Sequence, residues 1–488
     1  MNTELRTPAR PAAAAELPRL NRALRPAPKA PVRIVHLGLG AFHRSHQAWY
    51  TQQAGDAAEW GIAAFTGRRP DAAAALADQD GLYTLVERAD TSDSFTVVGS
   101  IVEAVDGADV ERLAELVAAP ATAVVTLTIT EAAYGLGTDG KLDTAAPDVV
   151  TDLALLGSGS GHPATPLGRL VLALAARRDA GSGPLAVVCC DNLSNNGTVA
   201  QQAVTGFAHA LDAGLAGWID ANVSFVSTSV DRITPRTTDE DVADVQAACS
   251  YRDTSPVVAE PFSSWVVSGK FPAGRPRWED AGALFVDDIG PYENRKLWLL
   301  NGAHSLLAYA GQLRGHSTVA EALADTVCRQ AVEAFWDEAE ANLPGDELQI
   351  PEYRAALLAR FSNARIAHNL AQIAMDGSTK LRMRAVPVLL AEQAAGRSGA
   401  AAALMIAAWM DCSSALPGFQ DPLGDKVAAA NAISGTERVR ALLAVVDPVL
   451  AADAAVVQLI ESLTGTFAEA LPATEPCNCL TSPERTQL

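Results

Sequence analysis

At 488 residues the chain is longer than one hydrophobic core usually grows, so two domains, or at most three, are expected. Hydrophobic residues at 49% and charged residues at 19% put it with soluble globular enzymes and outside the disordered and membrane classes; no apolar run is long enough to span a bilayer. A formal charge of −20 disfavours nucleic acid, whose binding is led by cationic contacts with phosphate, so an anionic substrate would need a local positive pocket.

The opening "MNTELRTPARPAAAAELPRL" lacks the continuous apolar core of a secretory signal. Glu4, Glu16 and the want of serine argue against a transit peptide, so residues 1–30 read as a Pro/Ala-rich lead-in to a cytoplasmic protein. From Pro31 the pattern is strand, glycine turn, helix: "VRIVHLGLGAFHRSHQAWYTQQA" is followed by a second apolar run, "WGIAAFTG", which makes a βαβ opening. The turn is G-x-G-x-x-H, with Gly38 and Gly40 ahead of Ala41, Phe42 and His43. Two glycines let the chain turn tightly and bring backbone N–H groups and a helix N-terminus against a pyrophosphate, so this turn is the expected dinucleotide site. The second strand ends "FTGRRPD", with Arg68 and Arg69 where an acidic residue would accept ribose hydroxyls. Arginines there suit a 2′-phosphate, which leaves NADP open beside NAD; the alternative is a pair of solvated loop arginines.

Further strands are expected at "AVVTLTIT", "PLAVVCCDN" and "NVSFVSTSVDRITP", with helices such as "PLGRLVLALAARRD" and "TVAQQAVTGFAHALD" between them, and "GSGSGH" from Gly157 as a surface loop. Alternation of this kind predicts a largely parallel sheet with helices on both faces. Its strand ends carry Glu131, Asp191, Asn192 and Asp231, and ligands bind at the carboxyl ends of such strands. Asp and Asn there are also common turn formers. Past "DDIGPYEN" the texture changes to alanine- and leucine-rich helical periods, so a helical domain is expected over 291–488, after a dinucleotide-binding domain over 31–290. The seven cysteines are scattered, without a CxxC pair or HExxH, which suggests a reduced chain without a metal; the "CNC" at Cys477–Cys479 reads as incidental.

The helical half opens with "KLWLLNGAH", an apolar helix carrying polar groups that packing does not require. At about 100° per residue, Glu293, Lys296, Asn301 and His304 fall at roughly 60°, 0°, 140° and 80°, within one sector, so they can share a pocket. Hydride transfer at a secondary alcohol needs a base for the hydroxyl proton and donors for the alkoxide, and these residue types supply both. A lysine desolvated there would have its pKa drawn down toward the working range. Downstream, "IAMDGSTKLRMR" sets Lys380, Arg382 and Arg384 after an Asp-Gly turn, a basic cluster able to hold a carboxylate or a sugar hydroxyl, or else a solvated turn.

With "GLGAFHRSHQA", "DGLYTL", "TITEAAYG", "CDNLSNNG", "VDRITP", "PYENRKLWLLNGAHSLLAY", "RFSN" and "MDGSTK" in order from about residue 31 to 390, the chain resembles the long-chain mannitol dehydrogenase family of polyol and hexuronate dehydrogenases. The resemblance implies a Rossmann-like α/β domain with a mostly parallel sheet, an all-α C-terminal domain, a nicotinamide coenzyme (NAD, with NADP open) and no metal. It further implies Lys296 as general acid/base, Asn192 and Asn301 as the oxyanion pair, His304 as the group that orients the carbonyl, Glu131 and Glu293 as a proton route, and Lys380 as a substrate ligand. Gly38, Gly40, Ala41, Phe42, Arg68, Arg69 and Asp231 fall to the coenzyme. Gln372 stands where mannitol-type members usually carry arginine, and "AQIAMDGSTK" is close to the stretch of uronate-type members. The expectation is therefore a dehydrogenase interconverting D-mannonate and D-fructuronate. Mannitol–fructose or arabinitol chemistry is the alternative, and a non-catalytic dinucleotide-binding regulator the rival from another class. The expected partner is a small sugar acid or polyol, with no nucleic acid or membrane, and the expected state a monomer or small homo-oligomer.

Overall fold

The computed structural model describes residues 17–468 except 138, 160, 367 and 417; Glu4, Glu16 and the Cys477–Cys479 tail lie outside the described residues. The chain divides into two compact units, Met1–Gly290 and Pro291–Leu488.

Among the described residues of the first unit eleven strands form: β1 (Val32–Leu37), β2 (Gly61–Phe65), β3 (Tyr83–Arg88), β4 (Asp93–Val98), β5 (Ile101–Val105), β6 (Val124–Leu127), β7 (Leu185–Cys189), β8 (Val223–Asp231), β9 (Val257–Ala259), β10 (Ser264–Ser268) and β11 (Leu284–Phe285). The main sheet runs β11-β10-β8-β7-β6-β1-β2-β5. From β8 to β5 its neighbours are parallel, and β10 joins β8 antiparallel at the other side. The central strands "VVTL" and "LAVVC" are buried at every position, as expected where helices cover both faces. A separate sheet, β4-β3-β9, packs its own small core around Leu82, Val86 and Val258. The "GSGSGH" stretch is only partly a loop: Gly157 and Ser158 are the last turn of the helix Pro147–Ser158, which Gly159 ends in the left-handed conformation.

Within the buried part of β1, Ile34–Leu37, one residue is polar. His36 is fully buried, and its ring stacks on that of His43, with centroids 3.3 Å apart. Thr128 Oγ1 spends its proton on the Gly38 carbonyl at 2.9 Å, so the 3.1 Å contact with His36 makes the imidazole Nε2–H the donor. His36 Nδ1 then accepts from Thr126 Oγ1 at 2.8 Å. This chain of hydrogen bonds ties β1 to β6 directly beneath the glycine turn.

The second unit is helical, and none of its described residues forms a named strand. Its centre is the helix Ala303–Leu313, buried along most of its length, with Ala400–Ala415 and Thr326–Glu340 packed on it. Among the described residues no helix is long and apolar enough to cross a membrane.

The stacked histidines make the first unit acid-sensitive. Burial lowers His36 to about 3, and burial with the neighbouring His36 holds His43 well below its ordinary value. Both stay neutral in the fold while the unfolded chain protonates through about pH 6.5, so the unfolded state binds more protons and stability falls as pH drops. The expected loss is up to ~1.4 kcal/mol per pH unit for each ring. Urea denaturation between about pH 7.5 and pH 5 checks this, and a stability that stays flat over that range would contradict it.

Candidate active site

The glycine turn caps a cavity of about 1010 Å³ in the first unit, walled by the ends of β1, β2 and β6 and by the segment 146–169. Gly38 lines it and has φ +110°, and a Cβ there would run into the main chain of Thr128, so only glycine fits. Gly40 is different. Its backbone is extended, and a Cβ would meet nothing nearer than the Gly38 carbonyl at 3.6 Å. The protein's own packing does not demand glycine at that position, which leaves room for a ligand to approach the backbone.

Two expectations about this turn need correcting. The N–H groups of Gly38 and Leu39 are not available to a pyrophosphate, because both donate to the Phe65 carbonyl, at 2.9 and 2.8 Å. The helix that follows is only Ala41–Ser45 before the chain kinks at His46, so its dipole is a short one. Ala41, Phe42 and Gly40 open that helix but are not among the cavity's walls, and neither is Asp231, at the far end of β8. The two arginines part company. Arg68 lines the cavity, whereas Arg69 is exposed and faces Asp71 at 3.6 Å.

At the ends of β6 and β7 the acidic residue that stands out in the sequence has a structural task. Asp191 is buried and accepts from the backbone N–H groups of Ile129 and Thr130, at 3.1 and 2.8 Å, and from the Tyr134 hydroxyl at 2.7 Å. Burial pushes its carboxyl above the usual range, and those three donors pull it back. The clamp holds Thr130 at φ +75° and ψ 151°, a region that costs a β-branched residue about 1–3 kcal/mol. Exposed Glu131 follows directly. Asn192, also exposed, leaves β7 next to Asp191, while buried Asn196 bridges the Asp191 carbonyl (2.9 Å) and the β8 backbone at Thr228.

In the second unit the motif is not a regular α-helix. Gly290–Arg295 is α-helical, Lys296–Gly302 is a π-helix, and α-geometry resumes at Ala303. With i→i+5 pairing each residue advances by less than in an α-helix, so Lys296 and Asn301 lie almost one above the other, closer than α-helical spacing allows. Where π pairing gives way to α, a carbonyl loses its amide partner. Side chains make up the deficit: Trp336 Nε1 donates to the Leu299 carbonyl at 2.7 Å, and Arg384 Nη1 donates to the Asn301 carbonyl at 3.1 Å and to Ser305 Oγ at 2.8 Å. Gly302 leaves space for the Phe335 ring, which a Cβ would strike.

Arg384 belongs to the helix Gly377–Arg384, so it ties Lys380 and the π turn into one assembly. Lys380 is half-buried and donates from Nζ to the Ile373 carbonyl at 3.0 Å; burial and then Arg384 lower its pKa. Gln372 stands exposed on the short helix Leu370–Ala374. His304 is buried against Phe361 and His368, and its Nε2 has no partner among the described residues. Burial, then His368, Arg360 and Arg384, hold it well below its ordinary pKa, so it is a neutral imidazole. Glu293 and Lys296 are both partly exposed within the same helical run.

The model of the mannitol dehydrogenase Rossmann domain matches residues 32–280, and that of the mannitol dehydrogenase C-terminal domain matches residues 288–466. The chain belongs to the mannitol dehydrogenase family. It is therefore an oxidoreductase acting on CH–OH groups with a nicotinamide coenzyme. It is 37% identical over 434 residues to the D-mannonate oxidoreductase of Escherichia coli, covering 84% of this chain and 87% of that one. It is 36% identical over 429 residues to the D-arabinitol 4-dehydrogenase of Ralstonia nicotianae, covering 85% and 91%. The mannitol 2-dehydrogenase of Pseudomonas fluorescens, solved with NAD and D-mannitol, superposes with a TM-score of 0.75 at 34% identity, over 92% of this chain and 97% of that one.

Within this family fold, sequence reasoning passed over Trp336, Arg169 and Asn196. Trp336 lies far along the chain from Leu299, Arg169 donates to the distant Gly67 carbonyl as well as to nearby Pro163, and Asn196 was visible only as part of an asparagine-rich turn. Trp336→Phe keeps an aromatic ring but loses part of the buried volume and the N–H, leaving the buried Leu299 carbonyl without this donor. The expected cost is about 1–3 kcal/mol, with a fall in turnover as the π turn relaxes. Thermal denaturation and initial rates measure the two effects, and an unchanged variant would show that the π turn does not need Trp336.

Proposed function

We propose that the enzyme reduces a keto sugar acid to its hydroxy acid, with D-fructuronate and D-mannonate as the pair, using NADH or NADPH. The observation that carries this reading is the cationic setting of His304. In a chain of charge −20, Arg360 and Arg384 both lie near enough to disfavour its protonation, and Lys380 shares the helix of Arg384. Such a setting suits a substrate carboxylate better than a neutral polyol. The similarity to a D-mannonate oxidoreductase and the presence of Gln372 in place of arginine support the same choice. Mannitol–fructose and arabinitol chemistry is the second reading, supported by relatives of similar identity.

A reduced nicotinamide, when bound, supplies the hydride for the carbonyl carbon. In the second unit Lys296, as the ammonium, gives the proton to the carbonyl oxygen and regains one by way of Glu293, and Asn301 donates to the oxygen as its charge develops. In the first unit Glu131 is proposed for the proton route and Asn192 for stabilising developing negative charge. His304, being neutral, orients the same oxygen by hydrogen bonding without exchanging its own proton. Lys380 and Gln372 hold the distal hydroxyl and carboxylate groups. The proposed assembly is a monomer or small homo-oligomer working in the cytoplasm.

Initial rates of NADH and NADPH oxidation with fructuronate, tagaturonate, fructose and xylulose test the substrate. Preference for fructuronate is expected; preference for fructose would make the second reading correct. Lys296→Ala should lower turnover by about 10²–10⁴-fold while coenzyme still binds, and near-normal turnover would remove Lys296 from the acid/base role.

A further inference from the structure

Arg169 stands in the helix Pro166–Ala180 and also lines the cavity of the first unit. Its guanidinium is fixed by two main-chain carbonyls: Nη1 donates to Gly67 at 3.0 Å and Nε to Pro163 at 3.2 Å. Gly67 belongs to the turn just after β2, where a dinucleotide's adenosine ribose is ordinarily received. Gly107 is itself held there, its N–H donating to Thr66 Oγ1 at 2.9 Å, and a Cβ on it would come within 2.7 Å of the Arg169 guanidinium. Arg68, the residue after Gly67, is exposed, lines the same cavity and makes no ion pair among the described residues.

Three of the acids nearby, Asp71, Asp106 and Asp152, are already engaged. Asp71 faces Arg69. Both oxygens of Asp152 accept from the segment Ala164–Thr165, at 2.6 to 2.8 Å. Asp106 accepts from the Ala108 N–H at 3.0 Å, and Asp148 lies on the cavity wall but on the far segment, in the first turn of Pro147–Ser158. Burial lowers the Arg169 pKa from its ordinary value while Asp106 and Asp152 act against that shift. From Thr66 to Pro70 there is no carboxylate to accept a ribose diol.

We infer that Arg68 and Arg169 form a binding site for the 2′-phosphate of the coenzyme, and that the enzyme prefers NADPH to NADH. This rests on the reading of the cavity as the dinucleotide site. One arginine is immobilised by backbone carbonyls and presents its remaining N–H groups to the cavity; the other is free to close on the phosphate. Arg69, turned toward Asp71, has no part in it. A planar guanidinium held in this way matches phosphate geometry with little further ordering.

The test is titration of the intact enzyme with NADPH, NADH, 2′,5′-ADP and 5′-AMP, followed by fluorescence or calorimetry without any sugar. NADPH is expected to bind about tenfold or more tightly than NADH, and 2′,5′-ADP more tightly than 5′-AMP, with the advantage shrinking as salt rises. Arg68→Ala and Arg169→Met should each lower the NADPH-to-NADH affinity ratio by about tenfold or more. Arg68→Ala changes an exposed residue, so it reports even where the Arg169 variant fails to fold. NADH binding as tightly as NADPH, or better, would overturn the inference and leave the dinucleotide site standing. An NADPH preference that neither variant reduces would place the phosphate elsewhere. Binding of neither coenzyme would overturn the site itself.

Discussion

The first unit depends on a buried carboxylate that gathers backbone from two strands. Asp191 leaves β7 and takes the N–H groups of Ile129 and Thr130, which leave β6, so the two strand ends cannot separate without stranding a desolvated acid. The strain at Thr130 is tolerated because that acid over-determines its position. Asn196 repeats the arrangement one strand further out, joining the Asp191 carbonyl to β8 at Thr228. Glu131 and Asn192 thus stand on backbone whose course is set by neighbours with no chemistry of their own.

The helical unit meets the same demand in another way. An isolated π turn is unfavourable and persists only when its unmatched carbonyls find donors. Trp336 and Arg384 are those donors, brought from elsewhere in the chain to Leu299 and Asn301. The spacing that brings Lys296 and Asn301 onto one face is therefore maintained by tertiary contacts, and Arg384 extends the tie to the helix of Lys380.

This explains what could be read from the residues and what could not. Gly38 was legible because a positive φ and a strand at contact distance admit no other residue. The parallel strands were legible because burial on both faces leaves unbroken apolar runs, as in "VVTL" and "LAVVC". The hairpin β3–β4, the strand β10 and the edge strand β11 were missed: the hairpin mixes polar and apolar residues, and β11 is only Leu284–Phe285. The π turn was invisible because Leu297, Leu299 and Leu300 suit either helix, and the donors that decide between them are remote. Asp191 was seen as a strand-end acid open to ligand, since nothing local reveals that its oxygens are already taken. Arg68 and Arg69 look alike in sequence and differ only through Asp71 and the cavity wall.

The condition of His304 narrows the division of labour in the reaction. An imidazole packed against Phe361, with Arg360, Arg384 and His368 close by, would lose too much on protonation to shuttle protons near neutral pH. It can still donate one hydrogen bond, and its Nε2 is buried without a partner among the described residues. A neutral donor raises no competing acid beside the carbonyl, so proton delivery falls to a group that can change charge. Lys296 is such a group: it is partly exposed, as a residue that must regain its proton from solvent has to be, and the π turn brings Asn301 over it. Burial of the histidine and exposure of the lysine are consistent with the proposed division, orientation for one residue and proton transfer for the other.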